Sequence, residues 1–254
     1  MNDPSKTAPA ESSAIVADGL EYRYPAGEFS LREISFRISI GERVGLIGPS
    51  GAGKSTLLMH LNGLLPERLP SKHRIEILGH ALDKQNLREI RRLVGYLFQD
   101  PDDQLFCPTV REDVAFGPLN LGCSQAESVQ RMRSALAEVG LRDCEYRSTV
   151  QLSLGERKRI CLAGVLACEP EILALDEPFS NLDPRNRKGL VEILVRFGKT
   201  QIIATHDLDV VAEICNRVLI LDDGLIRADG PTAELLRDRA LMERHGLEVP
   251  WCYR

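Results

Sequence analysis

From Ile34 to Ile40 apolar and polar residues alternate as Ile-Ser-Phe-Arg-Ile-Ser-Ile. That period of two places Ile34, Phe36, Ile38 and Ile40 on one side and predicts a strand with one wet face. Later apolar runs are short and unbroken: Arg43 to Ile47, Leu93 to Phe98, Ile172 to Leu175, Gln201 to Ala204 and Val218 to Leu221. Runs of this kind suit strands buried on both faces. Helical patterns lie between several of them, over Lys54 to Leu64, Pro184 to Phe197 and Asp207 to Cys215. The alternation of strand and helix predicts an α/β fold with a parallel sheet.

The rhythm breaks from about Pro101 to Pro170, where the long periodic segments are helical, so an inserted helical lobe is expected there. One helix is well marked: Ser124 and Glu127 form a capping box, Val129, Met132, Leu136 and Val139 a core-facing stripe, and Gly140 can close the end. Residues 1–14 are rich in Pro, Ser, Ala and Thr without periodicity and are expected to form a mobile tail outside the fold.

Composition narrows the class. With 32 basic against 37 acidic residues the net charge is -5, which offers no excess charge to neutralise a nucleic-acid backbone. The seven cysteines are scattered, with no C-x-x-C pair and no histidines grouped with them as zinc would need, and a reducing compartment is the simplest reading. No apolar run approaches the roughly 18 residues of a membrane span, and Met1 to Ser13 lacks the apolar stretch of a signal peptide. A membrane role is therefore expected only through a partner.

The strand ending at Ile47 runs into Gly48-Pro49-Ser50-Gly51-Ala52-Gly53-Lys54-Ser55-Thr56, which fits G-x-x-x-x-G-K-[ST] and opens a helical pattern. Glycines let the backbone wrap close enough for successive N–H groups to point at phosphate oxygens, and the positive end of the following helix favours the anion. Lys54 supplies charge to the β- and γ-phosphates, and the Ser55 hydroxyl suits Mg²⁺, a hard ion that takes few protein oxygens. A phosphate loop of this kind needs a carboxylate for the metal and a base for water. Ile172 to Leu175 followed by Asp176 and Glu177 offers both at a strand end, the edge where ligands of open α/β sheets bind. His206 follows the apolar run Ile202-Ile203-Ala204 and Thr205, a second strand end at the same edge, and is expected to contact the γ-phosphate. His60, His73, His80 and His245 have no comparable setting.

These residues resemble the ATP-binding cassette (ABC) ATPases. Gln99 resembles the Q-loop glutamine, Leu152-Ser153-Leu154-Gly155-Glu156 the signature motif, and Ser180-Asn181-Leu182-Asp183 the D-loop, while His206 resembles the switch histidine. The resemblance covers about Ile15 to Leu236 and implies a P-loop NTPase core with an antiparallel β subdomain (15–100 and 171–236), a helical subdomain (101–170) and a C-terminal tail (237–254). It further implies ATP and Mg²⁺ as ligands, with Ser55, Gln99 and Asp176 around the metal, and Tyr24 stacked on adenine, although Tyr22 is close enough to compete. Two sites would form between two subunits, identical or not, each site pairing one chain's phosphate loop with the other's Ser153 and Gly155. Ser153 and Glu156 also read as an ordinary helix cap, and one geometry serves both uses.

The usual signature reads Leu-Ser-Gly-Gly-Gln, and here Leu154 replaces its first glycine and Glu156 its glutamine. A positive φ at Leu154 would be strained by about 1–3 kcal/mol, so Leu154→Gly is expected to raise turnover. The segment Phe98 to Phe106, with Pro108 to Pro118 after it, closely resembles the cobalt-type ATPases of energy-coupling-factor (ECF) importers. Leu61-Asn62-Gly63-Leu64-Leu65 and Leu162-Ala163-Gly164-Val165-Leu166-Ala167 point the same way. That resemblance implies uptake of a transition-metal ion, cobalt or nickel, or of a vitamin. The expected partners are a second ATPase subunit, a membrane-embedded coupling protein and a substrate-binding membrane subunit, with no nucleic acid, at the cytoplasmic face of the cell membrane. Two other readings are a soluble ABC ATPase unconnected with transport, for which a basic arm or second cassette would be expected, and a weakly hydrolysing regulatory subunit, motivated by Leu154.

Overall fold

The computed structural model describes residues 13–25, 27, 29–66 and 74–254. Strands β1 (Ser13–Arg23), β2 (Phe29–Ser39), β4 (Arg74–Ile77) and β5 (His80–Ala81) form an antiparallel sheet in the order β2-β1-β4-β5. The second sheet runs β10-β9-β3-β8-β7-β6, from β3 (Arg43–Ile47), β6 (Val94–Leu97), β7 (Ile172–Asp176), β8 (Thr200–Ala204), β9 (Arg217–Asp222) and β10 (Leu225–Pro231). Its strands are parallel except for the edge strand β10, which pairs antiparallel with β9.

Helices cover both faces. They are α1 (Lys54–Leu61), α2 (Leu87–Leu93), α3 (Val110–Asn120), α4 (Gln125–Glu138), α5 (Leu154–Leu166), α6 (Pro184–Phe197), α7 (Leu208–Ile214), α8 (Thr232–Leu235) and α9 (Arg239–Arg244). Within 101–170 the chain is helical, with α3, α4 and α5 packed on one another and a single isolated bridge between Thr109 and Ser148. The capping box of Ser124 and Glu127 starts α4, and a matching box of Thr109 and Glu112 starts α3.

The parallel strands owe their burial to a division of labour between alternate residues. Ile47, Leu173, Leu175, Ile203 and Ile220 face a core shared with α5, α6 and α7, whereas Leu46, Ala174, Ile202 and Leu219 face one shared with α1 and the antiparallel sheet. Each fully buried aliphatic side chain is worth about 1.5–3 kcal/mol, which is why these strands carry no polar face.

Several boundaries differ from the expectations above. Ser13 and Ala14 open β1 rather than ending a tail, and Ala14 is fully buried in the core on which the antiparallel sheet packs; residues 1–12 of that tail, and His73, lie outside the described residues. Ile40 does not share the buried face of Ile34, Phe36 and Ile38: β2 stops at Ser39, the chain turns at Gly41 (φ +78°), and Ile40 is 61% exposed. Leu93 ends α2 and Phe98 lies past β6, so the strand there is shorter than its apolar run. α1 ends at Leu61, not Leu64, and Gly63 turns the chain away with a positive φ.

The register aligns the ends that matter. Ala204 pairs with both Leu46 and Asp176, so the chain leaves β3, β7 and β8 at one level of the sheet.

Candidate functional site

The loop from Gly48 to Thr56 wraps from β3 into α1, and its glycines are sterically obligatory at two places. A Cβ on Gly48 would fall 1.9 Å from the Leu221 carbonyl oxygen, and one on Gly53 (φ +103°) 2.6 Å from that of Ser30. Gly53 N-caps α1 without any side-chain bond, so the first N–H groups of that helix remain available to an anion. Gly51 also takes a positive φ, while Ala52 is buried and its carbonyl accepts from Gly224 N–H. Pro49 has no N–H to give. Its carbonyl, with that of Gly48, accepts from the Lys54 ammonium at 2.9 and 2.8 Å. Burial lowers the Lys54 pKa, and the opposing charges of Glu177 and Asp176 partly restore it.

Asp176 ends β7 directly below this loop. Burial raises its pKa, whereas hydrogen bonds from Ser55 and from Tyr96, at 3.3 Å, favour its ionised form. Ser55 and Asp176 thus present two hard oxygens side by side, a set that suits Mg²⁺ holding phosphate oxygens and waters as well. Gln99 sits exposed in the loop after β6 and makes no hydrogen bond to either.

Glu177 adopts φ +45°, a left-handed conformation that costs a non-glycine residue about 1–3 kcal/mol. Its N–H donates to Ala204 at 2.8 Å, and its Oε2 accepts from Thr205 Oγ1 at 3.1 Å and His206 Nδ1 at 2.8 Å. His206 is itself fixed by its neighbours. Thr205 N–H bonds Leu46, Asp207 N–H bonds the Thr205 hydroxyl, and the Asp207 carboxylate caps α7 while receiving two bonds from Arg187.

These groups line a cavity of about 500 Å³ with Gly48, Ser50, Lys54, Glu177 and His206 on one side. Its far wall is the segment 246–254 beyond α9, docked by a bond from Trp251 N–H to Asp209 Oδ1 at 2.8 Å. On the first turn of α1, the Tyr24 hydroxyl meets Thr56 Oγ1 at 3.2 Å, and Ser30 meets the same oxygen at 3.1 Å. Tyr24 is the more exposed of the two tyrosines, while Tyr22 packs its ring on His60 and the core.

Ser153 and Gly155 are not in this cavity. They begin α5 at a separate cleft of about 910 Å³, where Ser153 lies beside Arg185 and Asn186 of α6. That cleft is larger, but none of the phosphate-loop residues line it. A Cβ on Gly155 would meet Asn186 at 2.7 Å. Glu156 completes a capping box with Ser153, and the Arg147 guanidinium beside it, with Ser153 N–H, holds its carboxyl down at about 2. Leu154 does not carry the positive φ that would have strained it. It occupies the first turn of α5 with ordinary backbone and leaves its side chain 39% exposed.

Thr205, Tyr96 and Ser30 belong to the site without matching any of its sequence motifs. Thr205 had a signal, a hydroxyl between an apolar run and His206, but Tyr96 and Ser30 reach the site only through sheet pairing and sheet packing.

A strand, a glycine loop and an open helix terminus set above a buried Asp-Glu pair define a P-loop nucleotide hydrolase. Residues 31–180 match the family described as ABC transporter, and the chain belongs to that family. The energy-coupling factor transporter ATP-binding protein EcfA of Methanothermobacter thermautotrophicus is 46% identical over 236 residues, covering 91% of this chain and 75% of its own. The structure of CbiO1 from Clostridium perfringens, part of the ABC transporter complex CbiONQ, superposes with a TM-score of 0.79 at 34% identity over 92% of this chain and 94% of that one. A dimeric ATP-binding cassette in a post-hydrolysis state, bound to ADP and Pi, matches with a TM-score of 0.76 at 27% identity over 86% and 98%. The protein is an ATP-binding, ATP-hydrolysing ABC subunit of the energy-coupling-factor type.

Proposed function

We propose that this chain powers an ECF-type importer for a transition-metal ion, cobalt or nickel, or for a vitamin, from the cytoplasmic face of the cell membrane. The observation that carries the hydrolytic part is the convergence of Thr205 and His206 on Glu177 Oε2, in the cavity lined by the phosphate loop. Water attacks the γ-phosphorus in line, with Glu177 polarising it through the oxygen left free. Lys54 turns from the Gly48 and Pro49 carbonyls to the phosphates, joined by N–H groups of residues 50 to 56. Ser55 and Asp176 would hold Mg²⁺, with Gln99 reaching in from its loop, and the ion would supply charge neutralisation to the phosphates. His206 stabilises the transferred charge, and Tyr24 stacks on adenine.

Ser153 and Gly155 lie outside the cavity of their own chain, which favours a site completed by a second subunit, identical or not. A helix N-terminus facing the partner's γ-phosphate would use the same N–H groups that Ser153 caps. The coupling surface is supported by Phe106 and Phe116, 65% and 45% exposed, which pack edge to face at 4.8 Å beside exposed Leu119. This apolar patch follows the Gln99 loop directly, where a helix of a membrane-embedded coupling protein would seat. A third, substrate-binding membrane subunit selects the solute. Among the described residues no helix is long and apolar enough to cross a membrane.

The test is purification of tagged Glu177→Gln protein with ATP from detergent-solubilised cells of its source. Steady-state turnover falls to a slow residual rate, ATP-induced dimers persist on gel filtration, and two apolar multi-span proteins accompany the chain. Ribosomal or DNA-processing companions without a membrane protein would replace the importer with a soluble ATPase.

A further inference from the structure

A buried cation lies behind the catalytic edge and takes no part in the chemistry above. Lys158, on the second turn of α5, is only 4% exposed. Its ammonium donates to the Glu177 carbonyl at 3.0 Å, the Ser180 hydroxyl at 2.7 Å and the Pro178 carbonyl at 3.4 Å. Ser180 Oγ donates in turn to the same Glu177 carbonyl at 3.0 Å. All the bonds of this lysine therefore fall on one four-residue segment, the one that leaves β7 with Glu177 in its left-handed turn.

Burying an ammonium is costly unless its protons are satisfied, and α5 buries Ile160, Cys161 and Leu162 alongside it without any such cost. Burial lowers the Lys158 pKa, and the nearby charge of Glu177 opposes that most strongly. The left-handed turn at Glu177 is thus held from both flanks. Ala204 of β8 takes the N–H, and Lys158 of α5 takes the carbonyl.

The same helix grips the loop that carries Gln99. Arg157 pairs with Asp102, and Gln104 bridges the Cys161 carbonyl at 2.9 Å and Phe98 N–H at 3.3 Å. A shift of α5 is therefore felt at both loops.

We propose that Lys158 is a positioning residue: it fixes the peptide that aims Glu177 and makes that aim depend on where α5, the helix begun by Ser153 and Gly155, sits. This rests on Glu177 being the base for water.

The test compares Lys158→Met, which keeps the length of the side chain and removes its donors, in the wild-type and Glu177→Gln backgrounds. Steady-state phosphate release, nucleotide affinity and thermal melting are followed. In the wild-type background kcat falls at least about tenfold while KM for ATP stays within about twofold, because the base is misaligned and binding is not. In the Glu177→Gln background the same change costs less than about twofold in single-turnover cleavage, since a residue acting through Glu177 has nothing left to act through. Lys158→Arg restores part of kcat. A folded Lys158→Met with unchanged kcat, or an equal loss in both backgrounds, overturns the proposal. Should Lys158→Met not fold, Ser180→Ala removes one bond of the cluster, and an unchanged kcat there overturns it equally. If Glu177→Gln alone keeps full turnover, the assignment of the base has failed instead.

Discussion

His206 Nδ1 lies 2.8 Å from Glu177 Oε2, and among the described residues Glu177 Oε1 has no hydrogen-bond partner. One carboxylate oxygen is thus anchored and the other is free to accept from water. Because the anchored oxygen accepts, the Nδ1 of His206 carries the proton in this pairing. Its Nε2 donates to a phosphate only when the ring carries both protons. His206→Ala is expected to lower turnover by about 10²-fold or more, and Thr205→Val, which keeps shape and removes one anchor, by a smaller factor. Phosphate release under saturating ATP measures both, and turnover within twofold of wild type in His206→Ala would remove the histidine from the mechanism.

Leu154 tests the signature helix. Its ordinary backbone removes the strain argument, but a half-exposed branched side chain still stands on the first turn of α5, where a partner's phosphate would approach. Leu154→Gly is expected to raise ATP turnover several-fold while costing up to about 1 kcal/mol of helix stability. Paired turnover and melting measurements check it, and an unchanged or lower rate counts against an obstructive role.

Asp176 predicts an opposition between stability and activity. Burial raises its folded pKa above that of the unfolded chain, so its charge destabilises the fold at neutral pH, and this cost disappears as pH falls through the folded pKa. Asp176→Asn is therefore expected to melt higher than wild type at pH 7, by about 2–4 °C for each kcal/mol recovered, with the gap closing in acid. Mg²⁺-dependent turnover is lost in the same variant. A lower melting temperature at pH 7 would mean that the bonds from Ser55 and Tyr96 outweigh desolvation.

What the chain disclosed beforehand follows the locality of the chemistry. Lys54, Ser55, Asp176, Glu177 and His206 are legible because a phosphate loop and two strand ends are contiguous strings with fixed physical demands. β1 escaped notice because its pairing with β2 slips between Ala17 and Leu20, at Gly19, and the bulge breaks the period of two. Ile40 misled for the opposite reason, its alternation running on past the point where the backbone turns. Lys158, Tyr96 and Ser30 serve neighbours far along the chain, and no local pattern marks such a residue.

The place of β3 in its sheet sets an order of events for a chain being synthesised. Its flanking strands are β9 and β8, and Gly41 N–H is bonded to Thr200 Oγ1, 159 residues later. The phosphate-loop sequence therefore leaves the ribosome long before either strand that supports it, and slow non-local pairing must follow. Nucleotide capture then certifies a finished sheet. A chain interrupted before β9 would display the whole motif and have no cavity to offer, so ATP in the cell would selectively stabilise complete copies.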